Sequence, residues 1–152
     1  PLLPRSSPPC AELETIMNTY GTLEGSLQGA MIFFPRSQFA TVTRELLRVI
    51  DEGTINVHEL YGLLEGCALP GSGGLPSWVD KKIKRAESAE ICEALGKVEK
   101  DVTQVVELTG RVAAAPDLPD GLYIEALVES AREAEVGLGV AKEALKESEG
   151  CV

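Results

Sequence analysis

The chain has 152 residues, 44% of them hydrophobic and 25% charged, so its composition is that of a single globular domain rather than of a disordered segment. Aromatic residues make up only 5% of the chain, which favours closely packed helices over a β-sandwich. The 24 acidic residues outnumber the 14 basic ones, and the net charge of −10 argues against direct binding to nucleic acid or to an anionic membrane.

Four segments follow one another along the chain. Residues 1–10 contain four prolines and no helical periodicity, which predicts an extended tail with polyproline II character. Residues 11–67 are predicted to form three helices. The glycine-rich run at residues 68–77 predicts a flexible linker rather than a phosphate-binding loop, because no Lys-Ser/Thr pair follows its glycines. Residues 78–149 are predicted to form a long helical hairpin.

The first predicted helix spans residues 11–31, where apolar side chains recur every three or four residues. Gly21, Gly25 and Gly29 form a second ridge on this helix. Since glycine inside a helix costs about 1 kcal/mol relative to alanine, we expect the ridge to admit the backbone of another helix at close range. The alternative is that the helix ends near Tyr20 and that the glycines lie in a loop.

Two phenylalanines, Phe33 and Phe34, stand at the end of this helix, directly before Pro35. At such a corner we expect them to fill the core. They also suggest an alternative function, in which the two phenylalanines and the glycine ridge form the wall of a pocket that holds an apolar small molecule between the helices.

Two further helices are predicted before the linker. The second spans residues 37–52, and Gly53 provides a suitable stop. The third spans residues 57–65, where Asn56 and Glu59 have the spacing of a capping-box variant.

The hairpin is predicted from two helices, residues 78–115 and residues 122–147, which are joined by a short connection at residues 116–121. Each helix has an apolar seam that steps by three and four residues. The seam positions are Ile91, Leu95, Val98, Val102, Val105, Thr109 and Val112 in one helix, and Ile124, Leu127, Ala131, Ala134, Leu138, Ala141 and Leu145 in the other. Because the first helix is the longer, its start is expected to overhang the hairpin or to pack on the N-terminal helices.

A basic spot at the start of the hairpin contrasts with the acidic chain. It contains Lys81, Lys82, Lys84 and Arg85, and Trp78 lies one turn before it. Basic residues beside an aromatic anchor are typical of an interface, so these five residues are the candidate partner-binding site. A solvated surface, with the tryptophan in the core, is the alternative.

The four cysteines are Cys10, Cys67, Cys92 and Cys151, and none forms a Cys-x-x-Cys pair or stands near a histidine with zinc-ligand spacing. A chain of this size needs no cross-link to fold, so reduced, structural thiols are expected. Three disulfide pairings are otherwise open to four cysteines, and the spacing does not choose among them.

Catalytic chemistry is not predicted. His58 is the only histidine, it lies beside Glu59 with no nucleophile motif, and we expect it to be exposed or to cap a helix. No Glu-x-x-His pair suggests a di-iron site. We therefore assign no catalytic residue, no metal ligand and no cofactor.

These observations predict an all-α fold, a helical bundle of about five helices with a long C-terminal antiparallel hairpin. Long seams without converging reactive groups favour a non-enzymatic scaffold or adaptor, a small subunit or interaction module of a larger assembly with other protein subunits as partners. The uncharged stretches are too short for a transmembrane segment. A soluble, intracellular protein is expected, with a cleaved targeting peptide as the alternative.

Overall fold

The computed structural model describes residues 9–64, 67 and 86–152, and within them the chain is all-α, with four helices and no strand. The helices are α1 (Cys10–Phe33), α2 (Gln38–Leu63), α3 (Ser88–Ala113) and α4 (Ile124–Glu149). The all-α class is thus confirmed, whereas the expected count of about five helices is wrong by one. The residues of the predicted tail up to 8 and the whole predicted linker lie outside the described residues.

The four helices form a bundle in which each packs against two neighbours, in the order α1, α2, α3, α4 and back to α1. Neighbours along the chain are antiparallel. One disulfide joins Cys10, at the start of α1, to Cys67, four residues beyond the end of α2. The other joins Cys92, in the second turn of α3, to Cys151, two residues beyond the end of α4, so all four cysteines lie at one end of the bundle. We call this the disulfide end. The loop end, opposite, contains the connections at residues 34–37 and 114–123.

Side-chain caps fix the start of α2 at the loop end. The hydroxyl of Ser37 accepts a hydrogen bond from the backbone N–H of Ala40 at 3.0 Å. The carboxylate of Asp117 accepts from the backbone N–H groups of Gln38 and Phe39 at 2.8 and 2.9 Å. A negative charge at this position complements the helix dipole, and here it also ties the two loops of the loop end together.

The cysteines form two disulfides, Cys10–Cys67 and Cys92–Cys151, so the expectation of reduced thiols is wrong. Each bond closes the open end of one helical hairpin, α1–α2 or α3–α4. The bundle is therefore two covalently closed hairpins packed side by side, and neither disulfide crosses between them.

The predicted second and third helices are one helix, α2, and Gly53 lies inside it. Gly53 does not end the helix because its bare backbone is covered by Tyr20 of α1. A Cβ placed on Gly53 would lie 3.0–3.1 Å from three atoms of the buried Tyr20 ring. The expected cap at Asn56 is likewise wrong, since Asn56 is inside α2 and its amide donates to Asp101 of α3.

Gly53→Ala is expected to lower the free energy of unfolding by about 1–2 kcal/mol, because the methyl group must displace a ring that the core holds in place. Gly62→Ala on the same helix is the matched control. Nothing lies within 4 Å of a Cβ at Gly62, so that substitution should gain up to about 1 kcal/mol of helix propensity. Urea unfolding of the two variants should give changes of opposite sign. Equal changes would mean that Tyr20 does not pack against Gly53.

The predicted hairpin is confirmed as α3 and α4, which pack against each other along the predicted seams. All predicted seam positions are buried except Ile124, which is half-buried. The described part of this helix packs against α2, which is one of the two arrangements expected for it, and its predicted residues 78–85 lie outside the described residues. Both helices have 26 residues, and α3 begins at Ser88 after Glu87, whose backbone is extended with φ −73° and ψ 149°.

Candidate functional site

The partner-binding residues predicted from the sequence lie outside the described residues. This applies to Trp78 and to the basic spot formed by Lys81, Lys82, Lys84 and Arg85. The interface assigned to them stays a prediction, and the candidate site described below comes from another part of the chain.

The outward surface of α1 differs from the rest of the bundle because it carries no charge. Ten residues of α1 are exposed, and every one of them is uncharged; we call these residues the α1 face. They are Thr15, Asn18, Gly21, Thr22, Gly25, Ser26, Gln28, Gly29, Ile32 and Phe33. The face runs from Thr15 to Phe33, so it is about 27 Å long.

The carboxylates of α1 leave this face uncharged because all three turn towards neighbouring helices. Glu14 accepts a hydrogen bond from the hydroxyl of Tyr61 on α2 at 2.9 Å. Glu12 lies against Gly137 of α4, in the space that a Cβ would occupy there. Glu24 faces α2, where burial, and next a hydrogen bond with Asp51, raises the pKa of Glu24 above its ordinary value.

The other helices present charges to solvent at regular intervals. On α2, for example, the exposed side chains include Arg44, Glu45, Arg48, Asp51, Glu52 and Glu59. A pair such as Arg48 and Glu52, 3.9 Å apart and mostly exposed, contributes little to stability but keeps that surface strongly hydrated. The α1 face has no equivalent, so a partner can cover it without removing water from a charge.

The glycine ridge lies on the α1 face. α1 runs without a break through Gly21, Gly25 and Gly29, which confirms the predicted continuous helix. The expected close approach of another helix is wrong within the described residues, because nothing lies within 4 Å of a Cβ built on any of the three. The packing of the described bundle therefore gives no reason for these glycines.

The two phenylalanines at the end of α1 are on the surface. Phe33 is 78% exposed and Phe34 is 43% exposed, so the expectation that they fill the core is wrong. The depressions described for residues 9–64 and 86–152 are lined by other residues. A depression of about 410 Å³ is present at the loop end, but it is lined by the consecutive residues 122–126 at the start of α4.

A polar cluster lies inside the bundle, where Tyr20 of α1, Asn56 of α2 and Asp101 of α3 meet. Asp101 is only 2% exposed, and its Oδ2 accepts a hydrogen bond from the amide of Asn56 at 2.6 Å. Burial raises the pKa of Asp101, and the hydrogen bond from Asn56 opposes this shift. Burial, and next the charge of Asp101, raises the pKa of Tyr20, whose hydroxyl has no hydrogen-bond partner among the residues that the structure describes. The cluster is covered by the helices, so we assign it a structural role.

Other chemistry is sparse in the part of the chain that the structure describes. No group of three His, Cys, Asp or Glu side chains there has an arrangement suited to a metal ion. His58 is exposed within the last two turns of α2, which agrees with one of the two positions expected for it. None of the described helices has the length and apolar character needed to cross a membrane.

Comparison of the chain with protein-family models, with curated proteins and with solved structures gives no match. The surface features that bear on function are therefore those of the α1 face and the loop end. The sequence contained a signal for both, since residues 25–35 hold no charge.

Proposed function

We propose that the chain is a non-enzymatic protein-interaction module, an adaptor or small subunit that docks onto a partner protein through the α1 face. The observation that carries the proposal is that none of the exposed side chains of α1 is charged, in a chain with a net charge of −10. An acidic protein gains solubility from surface charge, so an uncharged face of this length marks the surface that is free to be buried.

The chemistry of the face specifies the partner surface. A charged side chain opposite the α1 face would lose its hydration and find no counter-charge, which is unfavourable by several kcal/mol in a dry interface. The partner surface must therefore be uncharged as well. A helix fits best, because the glycine ridge allows two helix backbones to approach closely while threonine, serine and glutamine supply hydrogen bonds.

The energetic cost of the glycines supports this proposal. Each of Gly21, Gly25 and Gly29 lowers helix stability by about 1 kcal/mol relative to alanine, and no neighbour in the described bundle uses the space they leave. A partner backbone seated on the ridge would use it. Stability given up at a binding surface is a common trade-off between stability and function.

The disulfides support an oxidising compartment. Two disulfides close the hairpins of this chain. Disulfides persist in secreted or extracellular proteins and are rare in a reducing cytosol. We therefore infer that the module works in an oxidising compartment, in place of the intracellular location expected from the sequence.

Gly25→Lys is expected to abolish partner binding, because it places a charge and a long side chain at the centre of the ridge. Gly96→Lys is the matched control, since Gly96 is an exposed glycine on α3 that also has nothing within 4 Å of its Cβ position. Affinity capture from native extract, with quantitative mass spectrometry, should identify proteins retained by the wild type and by Gly96→Lys and lost with Gly25→Lys.

Circular dichroism should show equal helicity for the two variants, because both substitutions are at open helical positions. If every captured protein is retained by Gly25→Lys, the α1 face is not the docking surface. Charge reversal at Lys82 and Arg85 tests the basic spot in the same assay. If this variant loses the captured proteins and Gly25→Lys keeps them, the interface is the basic spot and not the α1 face.

A further inference from the structure

The loop end carries a second surface feature, a run of exposed apolar side chains. Ile32 is 76% exposed, and together with Phe33 and Phe34 it forms the corner between α1 and α2. Tyr123, which is 84% exposed, precedes α4 at the same end. Phe33, Phe34 and Tyr123 are the exposed aromatic residues of the described chain, so all of these aromatic side chains lie at one end of the molecule.

Two arginines flank this corner. Between Glu24 and Glu45 the charged residues of the chain are Arg36 and Arg44 alone, and both are exposed. The Nη1 of Arg44 donates a hydrogen bond to the carbonyl oxygen of Pro35 at 3.1 Å, which holds its guanidinium group beside the aromatic corner. This loop is therefore cationic in an acidic protein.

The other loop combines an aromatic ring with carboxylates. Tyr123 lies between Asp120 and Glu125 in the sequence, and Tyr123 and Glu125 both line the depression of about 410 Å³. An aromatic face near carboxylates attracts a quaternary ammonium group. Asp117, on the same connection, is already engaged by two backbone N–H groups of α2.

We propose that the loop end docks on the surface of a phospholipid bilayer that carries phosphocholine headgroups. Ile32 and Phe33 enter the boundary between headgroups and acyl chains. Arg36 and Arg44 contact the lipid phosphates, and Tyr123 faces the quaternary ammonium group. The distribution of charge matches a zwitterion, with cations on one loop and carboxylates on the other.

A lipid surface fits this end better than a protein pocket does. Consecutive side chains that are three-quarters exposed project from the protein and line no groove, and projecting apolar groups flanked by arginine are typical of peripheral membrane attachment. The net charge of −10 opposes an anionic bilayer but not a zwitterionic one. The described helices include none that could cross a membrane, so the attachment is peripheral.

The experiment is cosedimentation of the full, disulfide-bonded chain with phosphatidylcholine vesicles at about 0.1 M and about 0.5 M salt. We expect binding that changes little with salt and that Phe33→Ser weakens about tenfold, since it removes one inserted aromatic side chain. Ile55→Ser is the control, because Ile55 is 68% exposed on α2, away from the corner. Circular dichroism should show that both variants keep the helices.

Two substitutions of Tyr123 and a second lipid test the assignment of the phosphocholine headgroup. Tyr123→Phe should keep the affinity and Tyr123→Ala should reduce it several-fold, and phosphatidylglycerol vesicles should bind more weakly than phosphatidylcholine vesicles. Absence of cosedimentation, an equal loss with Ile55→Ser, or tighter binding to phosphatidylglycerol would each overturn the proposal. So would a protein captured through Phe33 by a chain that does not bind vesicles. Ile32 and Phe33 are also the last residues of the α1 face, so both proposals use them. The two proposals still fail separately, because Gly25→Lys should abolish protein capture and leave vesicle binding unchanged.

Discussion

Loss of either disulfide is expected to lower the free energy of unfolding by roughly 4 kcal/mol. The Cys10–Cys67 bond joins residues 57 apart and the Cys92–Cys151 bond joins residues 59 apart, so the two cross-links constrain the unfolded chain by nearly equal amounts. Because neither bond crosses between the hairpins, the two losses should be close to additive. A domain of this kind is stable by about 5–15 kcal/mol, so loss of both bonds should leave it largely unfolded at physiological temperature.

The measurement is guanidinium unfolding of two variants, Cys10→Ser with Cys67→Ser and Cys92→Ser with Cys151→Ser. A third variant, with serine in place of all four cysteines, is compared with the reduced wild type. The two should have the same free energy of unfolding, which controls for the serine substitutions themselves. Mass spectrometry of peptides from a non-reducing digest checks the pairing independently. A change below about 1 kcal/mol for either pair, or a peptide that links Cys10 to Cys92, would contradict the two closed hairpins.

The elements predicted correctly are those whose buried face is fixed by periodicity. In α3 and α4 the apolar seam residues recur every three or four positions over the whole of each helix. Such an apolar stripe is stable in water only when it is buried, here against another helix. The same holds for the apolar stripe of α1. From these patterns the sequence predicts the all-α class and the C-terminal hairpin before any coordinate is known.

Gly53 shows why the helix count was wrong. A glycine after an apolar stretch is typical of a helix end, and nothing in the local sequence distinguishes it from a glycine that makes room for a neighbour. The deciding contact is with Tyr20, 33 positions earlier in the chain and on another helix. Such a contact exists only once the bundle is assembled, so local propensity was overridden by tertiary packing.

The candidate site was missed for a related reason. The glycine ridge and the two phenylalanines at the corner are unusual features of the sequence, but the pattern predicts that another helix covers the ridge and that the phenylalanines fill the core. A helical period shows that two faces differ, and it does not show which neighbours cover them. The structure shows that Phe33 and the glycines are turned outward and that Glu12, Glu14 and Glu24 are turned aside, and this arrangement is what leaves the α1 face uncharged.

The polar cluster inside the bundle leads to the second prediction. Asn56→Ala is expected to cost roughly 2–3 kcal/mol at pH 7, because Asp101 then loses the amide that donates to its Oδ2. The carboxylate is 2% exposed, so water cannot fully replace that donor. The charge of Glu52 adds to the penalty and that of Lys100 reduces it, but neither removes the need for a hydrogen bond.

The pH dependence identifies Asp101 as the cause. Burial raises the pKa of Asp101 above its unfolded value, so the folded state binds a proton more readily than the unfolded chain does. The stability from this protonation is fully present below the unfolded pKa of about 3.9 and is lost as the pH rises through the folded pKa. Asn56 lowers that folded pKa. Its removal should therefore raise the pKa of Asp101 further and deepen the loss of stability between acid and neutral pH.

Denaturant unfolding from pH 4 to pH 8 measures this effect. The cost of Asn56→Ala should fall towards the acid end, because the raised pKa of Asp101 favours the neutral carboxyl group there and the neutral group needs no charged hydrogen bond. The control is Asp101→Asn, which keeps an oxygen to accept from Asn56 and carries no charge at any pH. In that background Asn56→Ala should cost about the same at pH 4 and pH 8. A cost that is independent of pH in the wild-type background would contradict the prediction, because it would show that the protonation of Asp101 does not change between pH 4 and pH 8.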